Sequence, residues 1–364
     1  MKLGIIGTRG IPNHYGGFEQ FAENFAVYMV AHGHQVAVYN SSLHPYLSDA
    51  YKGVQIIKKY DPENRIGTAG QFVYDALCIA DSRKRNFDII LQLGYTSSSA
   101  FSWLMPSKAC IVTNMDGMEW KRSKYSSSVQ QFLRKAEKWA VNNSDFLIAD
   151  SIGIQQYLAA TYNKPSEYIP YGAAVFEQPD KNILSKYELL PNAYNLVVAR
   201  MEPENNVETI IKARLAIDSA YPLVIIGNYS NVYGQYLYKQ YSSDKIRFLN
   251  GIYDQNILNN LRHFSALYFH GHSVGGTNPS LIEAMACACP IIAHDNVFNR
   301  SILNEDALYF NDEKTIVDQL NTTNDFRQAL QNGIDNNTRK VKTIYHPDTI
   351  HSQLENFLTN CVKT

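Results

Sequence analysis

Four short stretches of this 364-residue sequence hold the residues best suited to chemistry. HGHSVGGTNPSLIEAM, residues 270–285, runs a glycine-rich turn into a helix carrying one carboxylate, Glu283. ARMEPENN, residues 199–206, sets Arg200 just past an apolar run, where its guanidinium can fork two N–H donors onto phosphate oxygens. The plainer reading pairs Arg200 with Glu202 or Glu204. GTRGIPNHYGGFEQF, residues 7–21, brings Gly16 and Gly17 to a helix entrance, where backbone N–H groups favour an anion. The plainer reading there is a tight turn needing positive φ. Its glycines, at 7, 10, 16 and 17, do not make a GxGxxG spacing, so a dinucleotide cofactor loses its main support. MDGMEW, residues 115–120, adds Asp116 and Glu119, and His14, His270 and His272 flank the two glycine loops. No DxD pair occurs, and the five cysteines show no CxxC or zinc-like spacing; they read as reduced core thiols.

These residues need elements to position them. Apolar runs such as KLGIIG, HQVAVYN, VQIIKK, FDIILQL and FLIAD alternate with helical stretches near 18–32, 70–84 and 128–142, the rhythm of a parallel sheet. After a polar segment at 177–195 the rhythm restarts with NLVVARM, PLVIIGN, IRFLNG, ALYFHG and CPIIAHD. Two α/β series predict two Rossmann-like, doubly wound domains facing a central cleft. The expected bounds are 1–172, 173–345 and a C-terminal helix at 346–364 packing back toward the first domain. Ligands of such sheets bind at the carboxyl ends of strands, which directs attention to the loops after KLGIIG and ALYFHG. A net charge of −1 gives no pull toward nucleic acid. MKLGIIGTRG is too short an apolar run for a signal peptide, and no window reaches a membrane span, so a cytoplasmic location is expected.

Taken in order, GGFEQFAE at 16–23, TNMDGMEWKR at 113–122, ADSIGI at 149–154, YIPYGA at 168–173, ARMEPENN, and NPSLIEAMACACPIIA at 278–293 resemble the retaining glycosyltransferases of family 4, over nearly the whole chain. Within that family GTRGIPNHYGGFE, DGMEWKR, EPENN and GGTNPSLIEAM look most like a bacterial rhamnosyltransferase-like subgroup that builds cell-surface polysaccharides. The resemblance implies the GT-B fold and a nucleotide-sugar donor, with dTDP-L-rhamnose favoured by the subgroup. It implies no separate cofactor and no metal, with front-face substitution in which the departing diphosphate helps deprotonate the acceptor. It makes Glu283 the holder of the ribose hydroxyls and Arg200 a diphosphate ligand.

Three positions depart from the family pattern. The first acid of its signature helix falls on Gly275, with Gly276, Thr277 and Asn278 offering backbone N–H groups instead. Its usual Lys falls on Asn205, which makes Arg9 the candidate to supply the missing charge from the opposite domain. A histidine beside the donor sugar falls on Asp116, which would hold sugar hydroxyls, stabilise an oxocarbenium-like centre or act as general base. The implied catalytic set is therefore Asp116, Arg200 and Glu283. Donor contacts come from Arg9, Gly16, Gly17, Arg200, Asn205, His272, Gly275, Gly276, Thr277, Asn278 and Glu283.

The expected acceptor is a glycan or a polyprenyl-diphosphate-linked sugar. WKRSKYSSSVQQFLRKAEKW, residues 120–139, carries six basic residues and four aromatics, a composition suited to anionic lipid head groups; a solvated helix face is the plainer reading. Residues 1–172 sum to +3 and the rest to −4, in keeping with a peripheral contact at the inner face of the membrane. An epimerase of the same architecture and a non-catalytic nucleotide-sugar-binding protein stay open as alternatives.

Overall fold

The computed structural model describes residues 1–122, 125–323 and 325–363. By packing, Met1–Lys121 and Tyr125–Pro170 form one unit with the C-terminal stretch from Ile350, and Tyr171–Thr349 forms a second together with Arg122.

The first unit is built on eight strands: β1 Lys2–Ile6, β2 Gln35–Ser41, β3 Ala50–Tyr51, β4 Val54–Lys59, β5 Ile89–Leu93, β6 Cys110–Asn114, β7 Phe146–Ala149 and β8 Glu167–Tyr168. Their order is β3-β4-β2-β1-β5-β6-β7-β8, parallel except for the short β3, which runs antiparallel to β4. That edge strand lies outside any apolar run the sequence offers. The central strands are buried along their length because helices cover both faces, so they read as continuous apolar runs without alternation. The helix Gly17–Ala31 turns Phe21, Ala22, Phe25, Ala26 and Met29 inward, a helical repeat of apolar positions. At Gly7, which follows β1 with φ +88, an added Cβ would lie 2.2 Å from the Leu93 carbonyl oxygen, so only glycine lets the chain leave β1 so close to β5. The C-terminal helix Pro347–Lys363 is held by Glu355, which meets His32 at 2.7 Å and His34 at 2.9 Å and accepts from the Tyr28 hydroxyl.

The second unit carries β9 Asn195–Val198, β10 Leu223–Ile226, β11 Ile246–Leu249, β12 Leu267–His270, β13 Ile291–His294 and β14 Leu308–Phe310. All pairings are parallel, in the order β11-β10-β9-β12-β13-β14. Alternation inside each strand divides the core between the two faces. Leu196, Val224, Tyr268 and Ile291 pack on one face with Leu281 and Met285 of the helix Pro279–Ala286. Val197, Ile225, Phe269 and Ile292 pack on the other with Ile210 and Ile211 of the helix Val207–Leu215.

Candidate functional site

In the second unit the chain leaves β9 toward β10 and β11, then returns to place β12 on the other side of β9. The boundary between β9 and β12 is thus a topological switch point, where the following loops diverge and leave a crevice at the carboxyl ends of the strands. Arg200 lies two residues past β9, and His272 with the Gly275–Asn278 turn follows β12. The two loops are tied together: the Asn206 amide donates to the Gly271 carbonyl at 2.8 Å, and both the backbone N–H and the hydroxyl of Ser273 donate to the Glu204 carbonyl. A Cβ on Gly271 would fall 2.0 Å from the Asn205 carbonyl oxygen, so the approach depends on glycine there.

Arg200 itself is exposed, and among the described residues no carboxylate pairs with it. Glu204, the plainer partner, meets Arg122 at 3.6 Å instead. The Arg200 backbone carbonyl accepts from the Asn205 amide at 2.8 Å and from the Glu202 N–H. This corrects the expectation for Asn205. Its side chain is 3% exposed and closes the turn after β9, so it does not present a donor to a ligand.

Glu283 is not a solitary acid. The fully buried Arg262, from the helix Gln255–His263, reaches its Oε2 at 2.5 Å and also donates to the Ser280 hydroxyl at 3.1 Å. Burial alone would lower the Arg262 pKa, but the Glu283 charge overrides it and the guanidinium is held more firmly protonated than usual. Among the described residues no hydrogen bond reaches Oε1 of Glu283. The helix Pro279–Ala286 begins with Asn278 accepting the Ser280 N–H at 2.9 Å and with proline at its first position. Gly275 adopts φ +122 with open space where a Cβ would be, Gly276 follows it, and Thr277 is buried.

His270 and His272 stack at 4.4 Å with 16° between their rings. Burial, then Arg262 and His294, push His270 down to about 3, and burial with His270 and Arg200 holds His272 well below its usual range. Both rings are neutral near pH 7, so His272 can exchange hydrogen bonds with a ligand but brings no cation. The unfolded histidine takes up a proton near pH 6.5, while folded His270 refuses it down to about 3. Stability is therefore full above about 6.5 and falls as the pH drops toward 3, by up to ~1.4 kcal/mol per pH unit. In urea melts compared at about pH 7.5 and pH 5, His270→Phe is expected to lose measurably less stability than the wild type.

The first unit answers differently. The Arg9 guanidinium pairs with Asp61 at 3.2 Å and with Glu63, and lies 5.4 Å from the Tyr15 ring centroid. Two carboxylates already balance it, which corrects its role as the spare diphosphate cation. Gly16 caps the helix Gly17–Ala31 with φ −172, an extended conformation open to any residue, so the positive φ expected of this loop falls on Gly7 at +88 and Gly10 at +121 instead. The anion that the helix start favours is built in. The carboxylate of buried Glu19 takes the Arg9 N–H at 2.8 Å and is stabilised by the backbone N–H groups of Glu19 and Gly16, though desolvation still raises its pKa.

Asp116, half-buried with φ +50, follows β6 in a turn where its N–H donates to the Asn114 side chain. Its loop is anchored by a residue the sequence did not single out. Glu137, 2% exposed, accepts from the Tyr157 and Tyr162 hydroxyls at 2.6 Å each, from the Trp120 ring N–H at 3.1 Å and from the Tyr95 hydroxyl at 3.2 Å. Arg262 escaped notice in the same way. Each lies on a helix as an ordinary charged residue, and only packing shows that it is buried.

Residues 182–341, which include Arg200, Arg262, His272 and Glu283, match the family described as glycosyl transferases group 1. Residues 1–174 match a domain of unknown function, DUF1972. No curated protein matches the chain. Among solved structures, a sucrose-phosphate synthase from Thermosynechococcus elongatus is similar at TM-score 0.80 and 16% identity, covering 99% of this chain and 98% of that one. HepE from Anabaena, in complex with UDP, is similar at TM-score 0.75 and 15% identity, covering 99% and 100%. An α,α-trehalose 6-phosphate synthase from Burkholderia multivorans is similar at TM-score 0.68 and 14% identity, covering 99% of each chain. At these identities the likeness is one of fold, and the fold is GT-B, two Rossmann-like α/β domains. The switch-point residues fall within the stretch that matches the glycosyl transferases group 1 family, whereas Arg9, Gly16, Gly17 and Asp116 fall within residues 1–174.

Proposed function

We propose that the protein is a retaining, metal-independent glycosyltransferase of the family 4 type. It would move L-rhamnose from dTDP-L-rhamnose to a glycan or polyprenyl-diphosphate-linked acceptor in cell-surface polysaccharide synthesis, working in the cytoplasm and peripherally at the inner face of the membrane. The observation that carries this reading is the pairing, at one switch point of the second unit, of an exposed guanidinium with no carboxylate partner among the described residues and a carboxylate seated on a buried arginine. A diphosphate calls for the first and nucleoside hydroxyls call for the second.

In this reading Arg200 neutralises the diphosphate as the glycosidic bond breaks. Glu283 accepts from the nucleoside hydroxyls through Oε1, and the Gly275–Asn278 turn and helix start add backbone N–H groups. Neutral His272 hydrogen-bonds the donor. Asp116 holds a sugar hydroxyl, stabilises the oxocarbenium-like centre or takes the acceptor proton. The HepE complexes with UDP and with UDP-glucose support a nucleotide-sugar donor. The absence of a DxD pair supports metal independence, with arginine and helix dipole supplying the positive field.

Calorimetric titration of dTDP, UDP, GDP and ADP into the full chain in EDTA tests it. Selective binding of dTDP is the expected result. Selection of another nucleotide would replace the donor, and binding only after magnesium is added would remove metal independence. Binding of none would favour a non-catalytic protein.

A further inference from the structure

We propose that three neighbouring elements of the first unit form a surface that docks on an anionic lipid bilayer: the helix Gly70–Ser82, the 3-10 stretch Ser98–Leu104 and the helix Ser127–Asn143. The proposal draws on the peripheral-membrane part of the reading above and is independent of the transfer chemistry. It also moves the contact. The sequence pointed to residues 120–139 alone, of which Lys124 lies outside the described residues, whereas the structure centres the surface on Trp103.

The 3-10 stretch packs against both helices, and Phe72 meets Phe132 at 5.7 Å to join them. Trp103 is 75% exposed, a large loss of hydrophobic stabilisation for an indole that has nothing to cover. Val73 and Leu77, one helical turn apart, are exposed on one side, and Val129 and Trp139 on the other, with Trp139 set edge-on against Phe132. Tryptophan placed this way suits the interface between head groups and acyl chains, where its ring is buried and its N–H stays hydrated.

Exposed cations outnumber exposed carboxylates around this apolar set. Arg83 and Lys84 follow the first helix, Lys108 follows the 3-10 stretch, and Lys135 and Lys138 lie on the last helix; all five are exposed. The carboxylates of the same elements are spent internally. Asp75 is 4% exposed and accepts from the Ser97 hydroxyl, Asp81 pairs with Lys59 and Arg85, and Glu137 is enclosed by its four aromatic donors. Among the described residues the three elements themselves carry no exposed carboxylate, and the flanking Asp88 and Asp145, exposed against the five cations, each accept a backbone N–H. Long lysine stems can lie along the apolar surface while their ammonium groups reach lipid phosphates. A second copy of the chain would bring like charges face to face, which disfavours self-association through this surface.

Co-sedimentation of the full chain with vesicles tests the proposal, comparing phosphatidylcholine alone with a mixture containing roughly one-third phosphatidylglycerol. Binding to the anionic vesicles only, weakening as salt is raised, is expected. Trp103→Ala and the double variant Lys135→Glu/Lys138→Glu should each weaken partitioning by about tenfold or more while leaving nucleotide affinity, a property of the other unit, unchanged. Wild-type protein that stays in the supernatant with both vesicles would overturn the proposal, as would variants that bind as the wild type does. A lipid-free dimer abolished by Trp103→Ala would also overturn it, in favour of a second copy as the occupant. If vesicles bind the protein but no nucleotide does, the membrane surface stands and the transferase reading falls.

Discussion

Glu283→Ala is expected to lower unfolding free energy by about 3–5 kcal/mol, because it leaves the fully buried Arg262 guanidinium without its counter-charge. The same change should weaken nucleoside diphosphate binding by about 1–3 kcal/mol through loss of a charged acceptor. The two effects can be separated. Adding Arg262→Met to Glu283→Ala removes the orphaned charge and fills its space with an apolar chain, so urea denaturation should show most of the stability restored while calorimetry shows affinity still lost. If stability and affinity returned together, Glu283 would act on the nucleotide only by keeping the helix Pro279–Ala286 folded. If the single variant changed neither, the acid would have no part in the site.

The second large effect is expected at Glu137. Replacing it with leucine strands four donors, those of Tyr95, Trp120, Tyr157 and Tyr162, around a position 2% exposed. A loss of about 3 kcal/mol or more is expected, less than four independent bonds would sum to because the donors can relax together. Trp120→Phe is the sharper test of function. It removes one N–H, at a cost of about 1 kcal/mol, from the loop that also carries Asp116. Turnover with the donor selected by the nucleotide panel should fall, while nucleotide affinity should stay at the wild-type value. Full activity in Trp120→Phe would mean that the Asp116 loop holds its shape without this anchor.

Both predictions rest on residues that one-dimensional reading passes over, and the reason is physical. Arg262 in NNLRHF and Glu137 in RKAEKW have neighbours that would equally suit a solvated helix face, since spacing records which side of a helix a residue occupies but not what covers that side. Glu283 was visible as an acid at a helix start, yet its ion pair spans 21 positions of sequence between two different helices. Arg9 shows the converse error. A basic residue in a glycine loop looks available until Asp61 and Glu63, from beyond β4, are seen to fold back on it. Asn205 looked like a substituted lysine facing a ligand, but a short amide next to the Arg200 carbonyl bonds inward, where a lysine would have been too long and too costly to bury.

What the sequence determined by itself was the alternation of strand and helix, and hence two Rossmann-like sheets. Strand runs such as KLGIIG and PLVIIGN are apolar throughout because both faces of a parallel sheet are covered, a local pattern that needs no partner to be read. It also placed Arg200 and the glycine turn past strand ends, because strand ends are marked by local composition. Only the tertiary structure decided strand order, and with it the switch point that brings the loops after β9 and β12 together although some 70 residues separate them. It likewise decided which charges remain available. Arg200 keeps its charge exposed while Arg9 is neutralised, because ionic pairing depends on distances of a few ångströms between side chains whose positions along the chain do not fix where they meet.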